Sequence, residues 1–331
     1  MAEAIGGYFE LELGHGSHPY PEATAFNSGR SAFQSVLLAR APRRVWLPHF
    51  ICSVMSDAAL AVNVELLRYD LDTALELAQP PAVRDDELLL YVDYFGLKTD
   101  YVQRTLAPRY ADRLVVDNSQ ALFSSPAAGI ATLYSPRKFV GVPDGGWLLN
   151  GPGGLPPTQA QSSVERLGAL IGRMIDGPEA HYQAFQASEA ALGREGLQGM
   201  SKVTERLLAS VDYQQAQSRR TANFARLHAA LAECNRFAAL ADKSVPALCY
   251  PLLLDNPQAA DALRCALLEE RIFVPCYWRE VIENEAAPVW ERNLSRCLLP
   301  LPIDQRYDAD DMQRLASRVL DHLARAATRF E

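Results

Sequence analysis

Lysine is scarce in this sequence of 331 residues: Lys98, Lys138, Lys202 and Lys243 are the only four, and the remaining strong bases are arginines. Arginine cannot form an imine, so chemistry that needs a covalent amine has four candidates. Cysteine is little used as well. Cys52, Cys234, Cys249, Cys265, Cys276 and Cys297 include no C-x-x-C pair and read as scattered thiols of an intracellular protein rather than a zinc site or a disulfide framework. No apolar run is long enough to cross a bilayer as a helix. Met1 to Ile5 has no basic stretch ahead of an apolar one, so no secretory signal is expected and the expected location is cytoplasmic. No G-x-G-x-x-G follows the first predicted strand, which weighs against a dinucleotide-binding sheet. A net charge of -8 weighs against a general nucleic-acid or anionic-membrane surface.

The composition, 49% hydrophobic and 22% charged, is that of a soluble globular protein. The length suggests one large domain with a smaller one attached, placed here at 1–235 and 236–331. Gly6 to Leu13 alternates weakly and reads as a short strand or arm. His15 and His18 are three apart with Gly16 between them, a loop spacing that poorly suits a metal. Short apolar runs then alternate with helical patterns: strands at Arg44 to Pro48, Val64 to Tyr69, Glu87 to Tyr94 and Leu114 to Asp117, helices at Phe50 to Ala61 and near Tyr101 to Ala111. Such alternation predicts a mainly parallel sheet covered on both faces, with ligands at the strands' carboxyl ends. Ile130 to Tyr134 and Gly146 to Asn150 extend it. A Gly/Pro-rich break at Gly151 to Pro157 opens a helical region at roughly 160 to 232. Strands are expected at Ala247 to Leu254, with Pro251 marking an edge, and at Arg271 to Pro275. The closing helix, Asp308 to Ala326, carries Met312, Leu315, Val319 and Leu320 on one face.

Two features of this layout carry chemistry. Asp117 ends one apolar run, and Lys138 follows the end of another 21 positions on, in Ser135-Pro136-Arg137-Lys138 ahead of Asp144-Gly145-Gly146. A carboxylate and an amine converging at one sheet edge suit a pyridoxal phosphate (PLP) ring: the acid keeps the pyridine nitrogen protonated and the amine forms a Schiff base, provided water is kept from it. Lys98 lies in a turn, Lys202 in a helix and Lys243 in a polar link, so Lys138 is the best placed, against the plain alternative of a surface lysine. Ser28-Gly29-Arg30, before a helical pattern at Phe33, Val36 and Leu37, forms the second feature. Ser28 or Asn27 caps the helix, Gly29 admits a close backbone and Arg30 adds charge, which together make a phosphate cradle or only a cap.

These residues resemble the DegT/DnrJ/EryC1/StrS sugar aminotransferases, fold-type I PLP enzymes, and the resemblance runs from Gly6-Gly7-Tyr8 to Leu299-Pro300-Leu301-Pro302 and the final helix. Ser28-Gly29-Arg30-Ser31-Ala32 matches the phosphate turn, Leu47-Pro48-His49-Phe50 the loop near the cofactor face and Tyr94-Phe95-Gly96 the aromatic-glycine turn. Asp117-Asn118-Ser119-Gln120-Ala121 is similar to the Asp-x-x-Gln-Ala signature, and Lys138 keeps the family's spacing to Gly145-Gly146. The resemblance implies a mainly parallel seven-stranded sheet with a smaller C-terminal α+β domain. It implies Lys138 and Asp117 as catalytic residues and Ser28, Gly29, Arg30, Phe50, Asp117, Gln120, Ser135 and Lys138 as cofactor-binding, with no metal.

The family's usual phosphate serine is Leu133 here, so Ser135 or Thr132 takes its place, and Cys52 competes with Phe50 for the ring-stacking position. The implied reaction moves an amino group from an amino acid such as glutamate to a nucleotide-linked keto sugar. A homodimer with a shared site is also implied, with Gly199-Met200-Ser201-Lys202 resembling the segment that reaches the partner. Three alternatives stand beside it. Sugar dehydratases of the family usually replace the lysine by His, a member without turnover would bind PLP or sugar only, and a penicillin-binding hydrolase shares Ser135-x-x-Lys138 but needs Ser-Asp-Asn and Lys-Thr-Gly, which do not occur.

Overall fold

The computed structural model describes residues 6–152, 163–237 and 245–327. Lys243 and most of the Gly/Pro break lie outside the described residues. Seven strands form the main sheet: β1 (Thr24–Phe26), β2 (Arg44–Pro48), β3 (Glu65–Tyr69), β4 (Glu87–Val92), β5 (Leu114–Asn118), β6 (Ala131–Tyr134) and β7 (Gly146–Leu149), in the order β1-β7-β6-β5-β4-β2-β3. The pairs among β2 to β6 are parallel, and β7 runs against both β6 and β1. Every residue of β4, β5 and β7 is buried, as strands covered on both faces must be.

Helices follow β1, β2 and β4, while the crossovers from β3 to β4 and from β5 to β6 carry none. α1 (Gly29–Arg40) follows β1 and α2 (Ser53–Leu60) follows β2. Between β4 and β5, α3 (Thr99–Tyr101) and α4 (Ala107–Tyr110) are joined by a π-helical turn at Val102–Leu106. Four helices follow the sheet: α5 (Val164–Asp176), α6 (Tyr182–Arg194), α7 (Lys202–Ala209) and α8 (Tyr213–Leu231). The C-terminal part pairs β8 (Tyr250–Leu253) with β9 (Leu298–Leu301) antiparallel, with α9 (Pro257–Glu269), α10 (Arg279–Glu283), α11 (Val289–Cys297) and α12 (Ala309–Ala327) around them.

The β8–β9 pair faces two cores. Leu253 and Leu298 join the core of the large sheet, whereas Tyr250, Leu252, Leu299 and Leu301 pack with Phe224, Leu227, Leu263, Leu315 and Val319. Each such fully buried aliphatic or aromatic side chain contributes about 1.5–3 kcal/mol. A carboxylate also joins the two parts. Glu291 of α11 is fully buried and accepts from the Phe50 amide at 2.7 Å and the Leu71 amide at 2.8 Å, just beyond the ends of β2 and β3. Burial pushes its carboxyl up to about 7, against the two amide bonds.

Several expectations need correcting. Gly6 to Leu13 forms no strand and is largely exposed. Arg271 to Pro275 is not a strand either: Arg271 takes a left-handed φ of 60°, and the Arg271 and Ile272 amides bond back to Leu268 and Leu267 at the end of α9. On α12, Met312, Leu315 and Val319 are buried but Leu320 is 42% exposed, because it sits at the rim of that face.

Candidate active site

Parallel strands bring their carboxyl ends to one edge, and β7, running the other way, starts there. Phe26 of β1 pairs with Gly146 and Tyr134 of β6 with Trp147, so the start of α1, the end of β6 and the glycine pair meet. A Cβ on Gly146 would lie 2.3 Å from the Ser28 carbonyl carbon and 2.5 Å from the Gly29 nitrogen, so only glycine fits. The Gly145 amide, in a φ of 127°, bonds to the Asn27 carbonyl at 2.6 Å. Asp144 is fully buried and accepts from the amide and hydroxyl of Ser201, the N-cap of α7.

Ser28 caps α1: its Oγ accepts from the Ser31 amide at 3.2 Å. Among the described residues the amides of Gly29 and Arg30 have no partner. Gly29 faces Ser119 Oγ and Ser135, 3.4 Å and 3.8 Å from where its Cβ would be. Neither serine hydroxyl has a hydrogen-bond partner among the described residues, and neither is sealed from solvent. Thr132 differs, since it is fully buried and its hydroxyl donates to the Ile130 carbonyl at 2.9 Å. Of the two expected phosphate hydroxyls, Ser135 therefore lies at the helix start.

At the end of β5, Asp117 Oδ1 accepts from the Ser119 amide at 2.9 Å, while Oδ2 has no partner among the described residues. Gln120 Oε1 accepts from the Phe95 amide at 2.9 Å, and its Nε2 has no partner among the described residues. Phe95 holds a left-handed φ of 59° in the Tyr94–Gly96 turn, a strain stabilised by that bond and by burial. Lys138 closes the one-turn helix Pro136–Lys138 after β6. Burial raises the Cys52 thiol, the Val54 amide and the charge of Lys138 lower it, and Glu280 and Asp117 raise it again. Lys138, Asp117 and Glu280 therefore all lie within electrostatic reach of one sulfur at the start of α2.

Two of the expected cofactor residues point elsewhere. The Arg30 guanidinium donates to the carbonyls of Leu192 at 2.9 Å and Glu195 at 2.5 Å beyond the end of α6, so its side chain is committed to that helix and only its amide stays at the turn. Phe50 is fully buried between Tyr94, at a ring distance of 5.7 Å, and Trp278, at 4.4 Å, so its ring has no open face, whereas the Cys52 sulfur feels the charges of the acid and the amine. The expectation of a shielded amine also fails for the single chain, where Lys138 is exposed. Lys98 is buried against Glu76 and Lys202 is exposed at the start of α7. Met200 and Ser201 are buried within this chain, on β1 and Asp144. Sequence reasoning missed Trp278 and Glu280; the Ser53 amide donates to Glu280 Oε1 at 3.1 Å, which brings the C-terminal part over α2. No local signal marks them.

His18 stacks on Trp147, and no group of three or more metal-ligating side chains occurs among the described residues. Two cavities, about 280 Å³ beside Arg173, Arg271 and Tyr307 and about 560 Å³ beside Gln103 and Pro126, lie away from Lys138 and Asp117. The candidate site lies in neither cavity, at the sheet edge where Lys138 is exposed.

No family model matches the sequence, and no curated protein is similar to it. Solved structures are similar. They include the sugar aminotransferase CalS13 from Micromonospora echinospora (16% identity, TM-score 0.60, covering 90% of this chain and 87% of that one). Spr1654 from Streptococcus pneumoniae in its PLP-form matches at 12% identity and TM-score 0.65, over 92% and 88%. A DegT DnrJ EryC1 StrS aminotransferase from Brucella abortus matches at 18% identity and TM-score 0.59, over 90% and 85%. The chain has the fold of these aminotransferases. Its candidate site stands at the carboxyl edge of the sheet, where open α/β sheets hold their ligands.

Proposed function

We propose that this chain is a PLP-dependent aminotransferase that passes an amino group from an amino acid, glutamate in the simplest case, to a nucleotide-linked keto sugar. The observation that carries the reading is the convergence of unspent groups: Asp117 Oδ2, Gln120 Nε2, the Ser119 and Ser135 hydroxyls and the first amides of α1, with Lys138 beside them. Unpaired polar groups gathered at one edge fit a ligand that is charged at one end and aromatic at the other. The start of α1 with Ser119 and Ser135 fits a phosphate, Asp117 a protonated pyridine nitrogen, Gln120 a ring oxygen and Lys138 the aldehyde carbon. When bound, PLP supplies an electron sink for the carbon that loses or gains the amino group. Lys138 then holds and moves the proton at that carbon, and Asp117 keeps its own negative charge against the ring.

The division into a large domain at 1–235 and a small one at 236–331 belongs to the same proposal, as does a homodimer that covers Lys138. The apolar side chains on α5 and α6 support the dimer: Ile171, Met174, Ile175, Tyr182 and Phe185 are 40–79% exposed. A binder without turnover is the second reading, favoured by the exposed Lys138 and by Cys52 where a stacking ring is expected. An absorbance spectrum with PLP separates the two. A visible band that needs Lys138, vanishes in Lys138→Ala and bleaches on adding L-glutamate supports the aminotransferase. A band indifferent to every donor supports the binder, and no band overturns both.

A further inference from the structure

Arg220 of α8 is an arginine 1% exposed to solvent, with no hydrogen-bonded carboxylate among the described residues. Its donors go to carbonyls and one amide from three separate segments. Nη1 donates to Ala247 at 3.2 Å and Leu248 at 3.1 Å, Nη2 to Phe139 at 3.2 Å, and Nε to Gln305 Oε1 at 3.0 Å. The guanidinium also lies over the Phe139 ring, 4.6 Å from its centroid. Burial pushes it down to about 10, with the charge of Asp304 opposing, so it remains a cation at neutral pH. A buried cation is costly to keep, and a chain that keeps one spends it on contacts that an apolar side chain does not make.

Those contacts surround the lysine turn. Phe139 follows Lys138 directly, and its carbonyl takes a second donor, Gln305 Nε2 at 2.8 Å. The turn itself is closed by bonds from the Lys138 amide to Ser135 and from the Phe139 amide to Pro136. On its other side Arg220 reaches toward the Phe95 turn: the Leu248 amide bonds to the Phe95 carbonyl at 3.0 Å, and the Phe95 amide bonds to Gln120. One guanidinium thus sets the spacing between the turn that carries Lys138 and the turn that Gln120 holds.

We infer that Arg220, with Gln305, is a positioning residue for Lys138, fixing its turn against the Phe95–Gln120 wall. The inference rests on the reading of Lys138 as the PLP attachment point. Its test uses the full chain with PLP, measuring how fast borohydride fixes the cofactor to the Lys138 peptide and the pH midpoint of the Lys138-dependent band. Arg220→Met is expected to slow labelling about tenfold and to move the midpoint, since a displacement of about 1 Å is enough for such losses. Arg220→Lys is expected to recover part of both. A folded Arg220→Met that labels at the wild-type rate with the wild-type midpoint overturns the inference and leaves the cofactor reading standing. Wild-type protein that takes no label at Lys138 overturns the cofactor reading, and the role of Arg220 falls with it. If Arg220→Met does not fold, Gln305→Leu removes the second donor to the same carbonyl together with the acceptor of Arg220 Nε, and is read by the same two outcomes.

Discussion

Two sets of polar groups in this molecule are built in opposite ways. At the start of α1 the hydroxyls of Ser119 and Ser135 and the amides of Gly29 and Arg30 are unspent among the described residues. Around Arg220, Asn223 and Glu291 the donors and acceptors are largely spent on the chain's own backbone: Asn223 Nδ2 alone serves Ile303, Asp304 and Tyr307. Groups already satisfied hold the fold, and groups left open at a sheet edge await a ligand. Burial alone does not separate the two, since Ser119, Ser135 and Arg220 are all under 9% exposed.

The comparison can be broken at its one shared point. Gly146→Ala forces a methyl group into the Ser28–Gly29 peptide, and both stability and cofactor binding are expected to fall, by about 1–3 kcal/mol in denaturant titration and by tenfold or more in PLP affinity. If affinity holds while stability falls, the phosphate turn is not where α1 begins.

The satisfied cluster should answer to pH. Folded Glu291 keeps its proton up to about pH 7, whereas the unfolded carboxyl releases it near 4.5. The folded state therefore binds more protons between these values, and stability is lost as pH rises through 7, by on the order of 3 kcal/mol, then levels off. Asp93, pushed up to about 6 by burial, adds a loss of the same sign at lower pH. Urea titrations from pH 4 to 8 should show the decline, and Glu291→Gln should remove its upper part. A stability that rises over this range contradicts the assignment.

A matched pair of hydroxyl deletions sharpens the contrast with smaller effects. Ser135→Ala removes an unspent group and should weaken PLP binding by about 1.5–3 kcal/mol with little change in melting temperature. Thr132→Val removes a spent one and should cost about 1 kcal/mol of stability with PLP affinity intact. Isothermal titration beside thermal melts reads both. Equal effects of the two substitutions would erase the distinction.

Much of the sheet was legible because its strands are near-continuous apolar runs, and β2 to β7 appear within about two residues of their expected ends. β1, three residues long, is too short to show a period, and Leu298–Leu301 was seen only as part of the family resemblance. Ile272, Phe273 and Val274 form an apolar run like that of a strand, yet the Arg271 and Ile272 amides bond back to a helix end. The order Asp117, Gln120, Lys138, Gly146 was readable as spacing, but side-chain direction was not. Arg30 reaches carbonyls some 160 residues away, and Trp278, set from the C-terminal part, buries the ring of Phe50. Both outcomes depend on contacts that no local pattern encodes.

The close fit of Gly146 on the Ser28–Gly29 peptide joins segments 118 positions apart without a side chain between them. During synthesis, α1 emerges long before the strand that braces its first turn. A nascent chain shorter than about 150 residues has the helix and its amides but not the wall behind them. Cofactor capture by growing chains should therefore begin only once β7 has cleared the ribosome, however early the helix itself forms.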